Sequence, residues 1–453
     1  MTIHRPPLSR THRRAVRAGL GAFVGTSIEW YDFYIYATAA ALVFPSVFFP
    51  EQDRALGTIA AFFASAIAFV VRPLGGIIFG HIGDRIGRRP ALVLTLVLMG
   101  LATVGVGFLP SHAAIGTAAP VLLMVLRAIQ GIAVGGEWGG AALMSVESAP
   151  TRLRVFFGGF TQLGNPAGAL LASGAFFLIS LGGEDFMLAW GWRIPFLASA
   201  LLIAVGFWVR SRVEESPVFA ESVQGQEPGF PLAFALTHNW WPILLGICVL
   251  PIPLGFYYLA TTFIQNYATS PEVGIAAQHV LLAMTIASFI EFAVTLPLAY
   301  LGDRWGGKTM MTIGVLGSLL TMVPLLLVIG GGQLTLMYVF VSLIRVTMSA
   351  TWAPLATVMA QMYRPHARYT SMSLAHGIGA AIWGALPPIA AVWLLSITGT
   401  VWSVVLLAAG MALLNAVALA LAPQHVDAEP SPSTPHADVT PELRHTPADP
   451  HPR

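Results

Sequence analysis

The sequence predicts an all-α integral membrane protein, with twelve transmembrane helices in two pseudo-symmetric six-helix bundles. Three observations carry that reading. Hydrophobic residues make up 56% of the 453 positions and charged residues only 10%, against about 25% charged in a soluble domain. With a mean hydropathy of +0.74, no soluble core absorbs this much apolar surface. A short polar sequence, Gly83-Asp84-Arg85-Ile86-Gly87, returns as Gly302-Asp303-Arg304-Trp305-Gly306, each copy between two long apolar stretches. Basic residues, lastly, gather in alternate loops.

About 20 mostly apolar residues cross a hydrocarbon core, and taken in order the chain offers twelve such runs. Residues 1–17 form a basic arm (Arg5, Arg10, Arg13, Arg14, Arg17) without the cleavage site of a signal peptide, so the span at 18–45 is retained. An acidic loop with Glu51, Asp53 and Arg54 leads to 55–80, and Arg85, Arg88 and Arg89 lead to 90–109. The span at 119–149 stops before Arg152 and Arg154, which open 155–181; Glu184 and Asp185 precede 190–210, with Arg193 near its start. These six spans make the first bundle, 18–210. A cytoplasmic linker at 211–239 follows, marked by Glu214, Glu215, Pro217, Gly225, Pro228 and Gly229.

The second bundle, 240–422, repeats the plan. Its spans are 240–268, 276–300 after Glu272, 308–331 after Arg304 and Lys308, 334–361, 369–397 after Arg364 and Arg368, and 399–422. The tail at 423–453 is too polar to pack and reads as disordered, and it carries no heptads. In lipid each segment must satisfy its own backbone, so helices are required. The arginine-rich loops place both termini and both Gly-Asp-Arg turns in the cytoplasm.

Several classes are excluded at this point. The net charge of +2 is too small to argue for nucleic acid, and the single Cys248 rules out an internal disulfide. There is one lysine, Lys308, and no GxxxxGK[ST] loop, so this chain alone does not use ATP. No HExxH or GxSxG pattern points to a hydrolase. No metal and no cofactor is expected.

The duplication extends beyond the turns. Phe33-Tyr34 with Ala37-Thr38 answers Phe256-Tyr257 with Ala260-Thr261; Arg127 answers Arg345, Arg154 answers Arg368, and Gln162 answers His376. Charges break the symmetry: Asp32 is matched by Gly255, and Arg72 by Glu291. Internal duplication of apolar helices is the mark of transporters.

The twelve-span plan and the turn from Gly80 to Arg89 resemble the major facilitator superfamily. Three further stretches resemble its metabolite:proton symporter family: Glu29-Trp30-Tyr31-Asp32-Phe33-Tyr34, the run from Arg127 through Gln130 and Gly131 to Glu137-Trp138, and Gly191-Trp192-Arg193-Ile194-Pro195-Phe196. Glu215-Ser216-Pro217 fits as well. The resemblance covers residues 17–422 and departs at Gly307, where the second turn would usually carry an arginine. It implies a monomeric transporter in the bacterial inner membrane that imports a small organic acid by proton symport through alternating access. Its expected partners are a carboxylate substrate, protons and membrane lipids. A proton-coupled antiporter exporting drugs or metabolites is the rival, supported weakly by Gly164-Asn165-Pro166-Ala167-Gly168; a carrier of zwitterionic osmolytes is another.

Ionisable groups in lipid cost about 3 kcal/mol each, so those retained need partners or a job. Glu29 and Asp32 share a helix face with Tyr36, and Arg127, Gln130, Val134, Glu137 and Trp138 share another. The resemblance implies that these helices line one central cavity, where Asp32 and Arg127 could meet. Burial favours the neutral acid and a nearby arginine favours the carboxylate, so Asp32, Glu29 and Arg127 are the proton-coupling candidates. A purely structural ion pair is the other reading. Arg345 either meets a substrate carboxylate or is neutralised by Glu291. His376 could titrate or merely bridge helices. Gln130, Glu137, Gln162, Asn165, Tyr34, Tyr257 and Tyr258 complete the substrate-binding candidates, with Arg127, Arg345 and His376. Arg72 and Glu291 are intramembrane charges without an assigned role, and Trp138, Trp352 and Trp383 read as packing. Asp32, Arg127 and Arg345 are expected to face one chamber.

The resemblance also makes the turns a cytoplasmic gate. It would comprise Gly83, Asp84, Arg85, Gly87, Arg88, Arg89 and Glu147, with Asp303 and Arg304 in the second copy. Asp84 suits a helix N-terminus. The bland alternative is a topology anchor.

Overall fold

The computed structural model describes residues 10–50, 67–180, 182–211, 231–268, 270, 272–364 and 367–425. Residues 1–9 of the arm, 55–66 of the second span, most of the linker and the tail beyond 425 lie outside the described residues. Among those described there are helices and no strands. Nine helices of the described residues are long and apolar enough to cross a membrane. Three more complete the set: a charged first helix, the described end of the second, and a fifth in two pieces.

In chain order these are α1 (Arg10–Leu42), α2 (Arg72–Arg85), α3 (Arg88–Phe108), α4 (Ala118–Glu147), α5 (Arg154–Gln162 and Gly164–Ser180) and α6 (Arg193–Arg210). The second bundle begins with α7, which opens at Trp240–Cys248. It continues with α8 (Ala277–Trp305), α9 (Gly307–Gly330), α10 (Leu334–Trp352 and Leu355–Met362), α11 (Arg368–Thr398) and α12 (Trp402–Leu421). Two ends differ from the sequence reading. α1 begins at Arg10 and takes in part of the basic arm. The Gly-Asp-Arg triplets are helical: α2 ends at Arg85 and α8 at Trp305. Only the following glycines turn the chain, Gly87 at φ 133° and Gly306 at φ 91°, a backbone region that a side chain resists.

α7 is irregular. After Trp240–Cys248 it widens into π-helical turns at Pro251–Phe256 and Leu259–Phe263 before ending as Ile264–Ala268. Pro251 and Pro253 lack the N–H that a regular ladder needs, and the wider turns absorb the loss. Tyr257 and Tyr258 lie between them.

Each bundle has its own core, around Tyr36, Phe44, Trp192 and Phe196 in the first and Phe256, Phe263, Met322 and Leu325 in the second. Large apolar side chains also point outward, such as Leu316 and Leu320 on α9 and Leu406 and Leu413 on α12; lipid is their solvent. Where lipid is as apolar as leucine, helices associate through small residues. A Cβ on Gly75 would overlap the Ile132 carbonyl, and one on Gly135 the Arg72 carbonyl, so α2 and α4 touch backbone to backbone. Gly76, Gly80 and Gly83 present the next face of α2 to Ser373, Thr370 and Tyr369 on α11. Gly131, Gly139 and Gly168 are close contacts in the same way, whereas Gly174 has nothing near it. The bundles meet along α2 with α11 and along α5 with α8, a pairing that repeats the internal symmetry.

Candidate functional site

Among the described residues, two cavities inside the helix array carry ionisable walls. One is walled by both halves: Glu29, Trp30, Phe69, Arg72 and Trp138 from the first, and Leu254, Tyr258, Trp352, His376, Ala380 and Gly384 from the second. The other belongs to the first half and is lined by Glu29, Asp32, Phe33, Ala68, Phe69, Arg72, Arg127, Gln130, Gly131 and Val134. Glu29, Phe69 and Arg72 line both.

Asp32 is buried and held by neutral donors. Thr103 on α3 donates its hydroxyl to Oδ1, and Gln130 Nε2 donates to Oδ1 at 3.0 Å and Oδ2 at 3.1 Å. Gln130 in turn accepts from Arg127 at 2.8 Å, while Arg127 stays 3.7 Å from Asp32 Oδ2 and lies over the Tyr36 ring, 3.6 Å from its centroid. The amide therefore stands between acid and base. It can pass a change at one to the other without either losing all its partners.

The second half makes the opposite choice. Glu291 on α8 meets Arg345 on α10 directly at 2.6 Å, and Arg345 also donates to the Tyr257 hydroxyl at 2.9 Å and Ser288 at 3.4 Å. Tyr257 donates to Asn165 Oδ1 at 3.0 Å and lies 3.3 Å from the Tyr34 hydroxyl. This cluster ties the halves together on the side of the cavities away from Asp84. Arg345 lines neither cavity, so the single chamber expected for Asp32, Arg127 and Arg345 is not formed. An acid one helix away accounts for Arg345.

Gln162 bridges the halves on the other side. It accepts from Trp138 Nε1 at 3.2 Å and donates to the Trp352 carbonyl at 3.0 Å. Beyond it the two turns act across the interface. Asp84 accepts from the backbone N–H groups of Tyr369 at 3.2 Å and Thr370 at 2.8 Å, and from the Thr370 hydroxyl at 2.7 Å. It thereby caps α11 of the opposite bundle. Asp303 does the same for α5, accepting from Val155 N–H at 2.8 Å and Phe156 N–H at 2.9 Å. Both carboxylates meet the positive end of a helix dipole. The first turn has more: Arg88 pairs with Asp84 and lies 3.7 Å from Glu147, which Arg368 of the second half reaches at 3.4 Å. With Gly307 at the place of Arg88, the second turn lacks that guanidinium. Arg85 and Arg304 are exposed; Arg304 reaches Tyr300 and Arg89 the Ser211 carbonyl.

Of the remaining candidates, Glu137 accepts from Thr95 at 2.6 Å, deep in the first half. His376 stacks on Trp138 with ring centroids 4.0 Å apart. Tyr258 reaches the cavity walled by both halves, and Arg72 reaches both cavities. Sequence reasoning passed over Thr103, although Thr95 and Thr103 recur two turns apart on an apolar helix. It also gave Trp138 and Trp352 to packing, when both wall the central cavity; Trp383, donating to the Ile247 carbonyl at 2.9 Å, is packed as expected.

Known proteins share this plan. Residues 19–229 match the family model described as Sugar (and other) transporter, and residues 254–450 match that of the Major Facilitator Superfamily. The chain is 38% identical over 412 residues to the inner membrane metabolite transport protein YhjE of Escherichia coli (strain K12), spanning 89% of this chain and 92% of that protein. It is 37% identical over 395 residues to the shikimate transporter of the same strain, spanning 86% and 90%. Its fold is similar to the structure of the major facilitator superfamily proton:xylose symporter XylE bound to 6-bromo-6-deoxy-D-glucose, with a TM-score of 0.75 at 19% identity, over 91% of this chain and 97% of that one.

Proposed function

We propose a function from one premise: the chain belongs to the major facilitator superfamily, whose relatives named above are transporters, not enzymes. Within that family it imports a small carboxylate metabolite with a proton, by rocking its two bundles about the central cavity. It works as a monomer in the bacterial inner membrane, with both termini and both capped turns in the cytoplasm. The reading rests above all on Asp32, a buried acid that lines a cavity and is separated from Arg127 by an amide. When Arg127 draws away, Asp32 loses its nearest positive charge and takes a proton. The neutral acid then releases Arg127 and Gln130 to rearrange. Buried ionisable groups in membrane helices mark proton and substrate paths.

The Asp84 and Asp303 caps hold the cytoplasmic side shut while the outer side opens, and they separate on the inward swing. The cavity walled by both halves is then the site presented alternately to the two sides. The relative named a shikimate transporter supports an organic acid as cargo.

The test uses proteoliposomes containing pyranine, with shikimate, succinate and butyrate added in turn outside. Symport predicts that at least one of them acidifies the lumen faster than in protein-free vesicles, and that an acid-outside gradient fills the vesicles with the labelled acid. An acid-outside gradient that instead empties preloaded vesicles identifies the antiporter.

A further inference from the structure

Three arginines lie within the membrane helices, and their partners differ. Arg127 is bound by Gln130 and lies beside Asp32. Arg345 is bound by Glu291, Tyr257 and Ser288. All three leave a buried Nε without a hydrogen-bond partner, but Arg72 alone of them lines both cavities and, among the described residues, makes no ion pair; its guanidinium lies over Phe69, 4.5 Å from the ring centroid. A guanidinium that no carboxylate contacts is expensive in a low-dielectric setting and is relieved by an anion. Its planar fork matches a carboxylate.

We infer that Arg72 is the anchor for the substrate carboxylate and that the substrate is a compact, hydroxylated, ring-shaped monocarboxylate. This rests on the import reading above and names the cargo of the same cavity. The charge count limits the ligand to one carboxylate, because a second would face Glu29 on the same wall. The shape follows from the six rings of the wall: Trp30, Phe69, Trp138, Tyr258, Trp352 and His376. Trp138 and His376 stack within 13° of parallel, which leaves a flat apolar surface for a ring face. The hydroxyls follow from two further atoms. Trp352 Nε1 and His376 Nε2 are buried in that wall without hydrogen-bond partners, and such groups are costly until something meets them. A quaternary ammonium zwitterion would also suit aromatic rings, but with its one carboxylate held by Arg72 it has no further polar group for either nitrogen. Ring hydroxyls satisfy both.

The experiment is thermal unfolding of the full chain in detergent with four probes: shikimate, its methyl ester, succinate and glycine betaine. A ligand that binds only the folded protein raises its Tm. Shikimate is expected to give the largest rise, and the methyl ester, with no charge for Arg72, to bind at least tenfold more weakly. Arg72→Gln is expected to abolish the shikimate response and Trp352→Phe to weaken it several-fold. If Arg72→Gln does not fold, the comparison of acid with ester on the unaltered protein decides. The inference is overturned if ester and acid bind alike, if succinate or betaine outperforms shikimate, if no probe raises the Tm, or if Arg72→Gln responds as the parent does. The import reading fails separately: shikimate held through Arg72 without proton movement contradicts symport alone, whereas proton-coupled succinate uptake unaffected by Arg72→Gln contradicts this inference alone.

Discussion

Away from the Gly-Asp-Arg turns, each half of the molecule buries a carboxylate beside an arginine, and the two pairs are built differently. In the first half Gln130 and Thr103 hold Asp32, Arg127 waits 3.7 Å away, and a cavity adjoins them. In the second half Glu291 and Arg345 touch at 2.6 Å and line neither of the two cavities described above. A direct buried pair is hard to break, because removing one member strands the other's charge. A pair spaced by a neutral amide exchanges partners at less cost. The duplicated scaffold thus carries a strut in one half and, on the proposed mechanism, a switch in the other.

The comparison can be broken first at the strut. Glu291→Gln leaves Arg345 uncompensated, and stability should fall by about 3–5 kcal/mol, the usual cost of stranding one partner. Pairing it with Arg345→Met should recover most of the loss. Thermal unfolding of the single and double variants measures both; a harmless single variant would mean that Arg345 is free to serve another ligand.

The two caps sharpen the same contrast. Asp84 receives three hydrogen bonds and the Arg88 guanidinium, while Asp303 receives two. Hydrogen bonds to a charged group contribute about 1.5–3 kcal/mol, and about 1.4 kcal/mol is a factor of ten in population. In a Cys248→Ser background, Asp84→Asn should therefore raise maleimide labelling of Ser373→Cys, on the α11 face opposite α2, by about tenfold or more. Asp303→Asn should raise it less. Equal effects would argue that Arg88 adds nothing to the first cap.

The smallest change is expected at Thr103. Thr103→Val removes one of two neutral donors to Asp32 and leaves Gln130 in place. It should lower stability by about 1 kcal/mol and slow uptake a few-fold, read from initial rates in vesicles. A variant as impaired as one lacking Asp32 would make Thr103 part of the proton path itself.

Much of this architecture is legible in the chain. Span lengths, the alternation of arginine loops and the repeated Gly-Asp-Arg sequence fix twelve helices in two halves. The ends were harder to read at the motif, because Gly83-Asp84-Arg85 looks like a polar turn. It is helical because Asp84 is bonded to the opposite bundle, a contact no local pattern contains. In the site, Asp32, Arg127 and Gln130 stand out as polar residues where lipid penalises them. Thr103 does not, since a threonine in an apolar helix can satisfy its hydroxyl on its own backbone, as Thr103 also does with Met99. Trp138 and Trp352 show why aromatic spacing is ambiguous: a ring that packs and a ring that walls a cavity repeat at the same helical interval. Whether Arg345 meets Glu291 or a ligand depends on how α8 lies against α10, which only tertiary packing decides.

The most direct test of the switch is Asp32→Asn in proteoliposomes, comparing shikimate accumulation driven by an acid-outside gradient with counterflow exchange at equal pH. Loss of accumulation with exchange retained at a rate within a few-fold of the parent is the expected result. Accumulation against a concentration gradient that survives the substitution would contradict the assignment of proton coupling to Asp32.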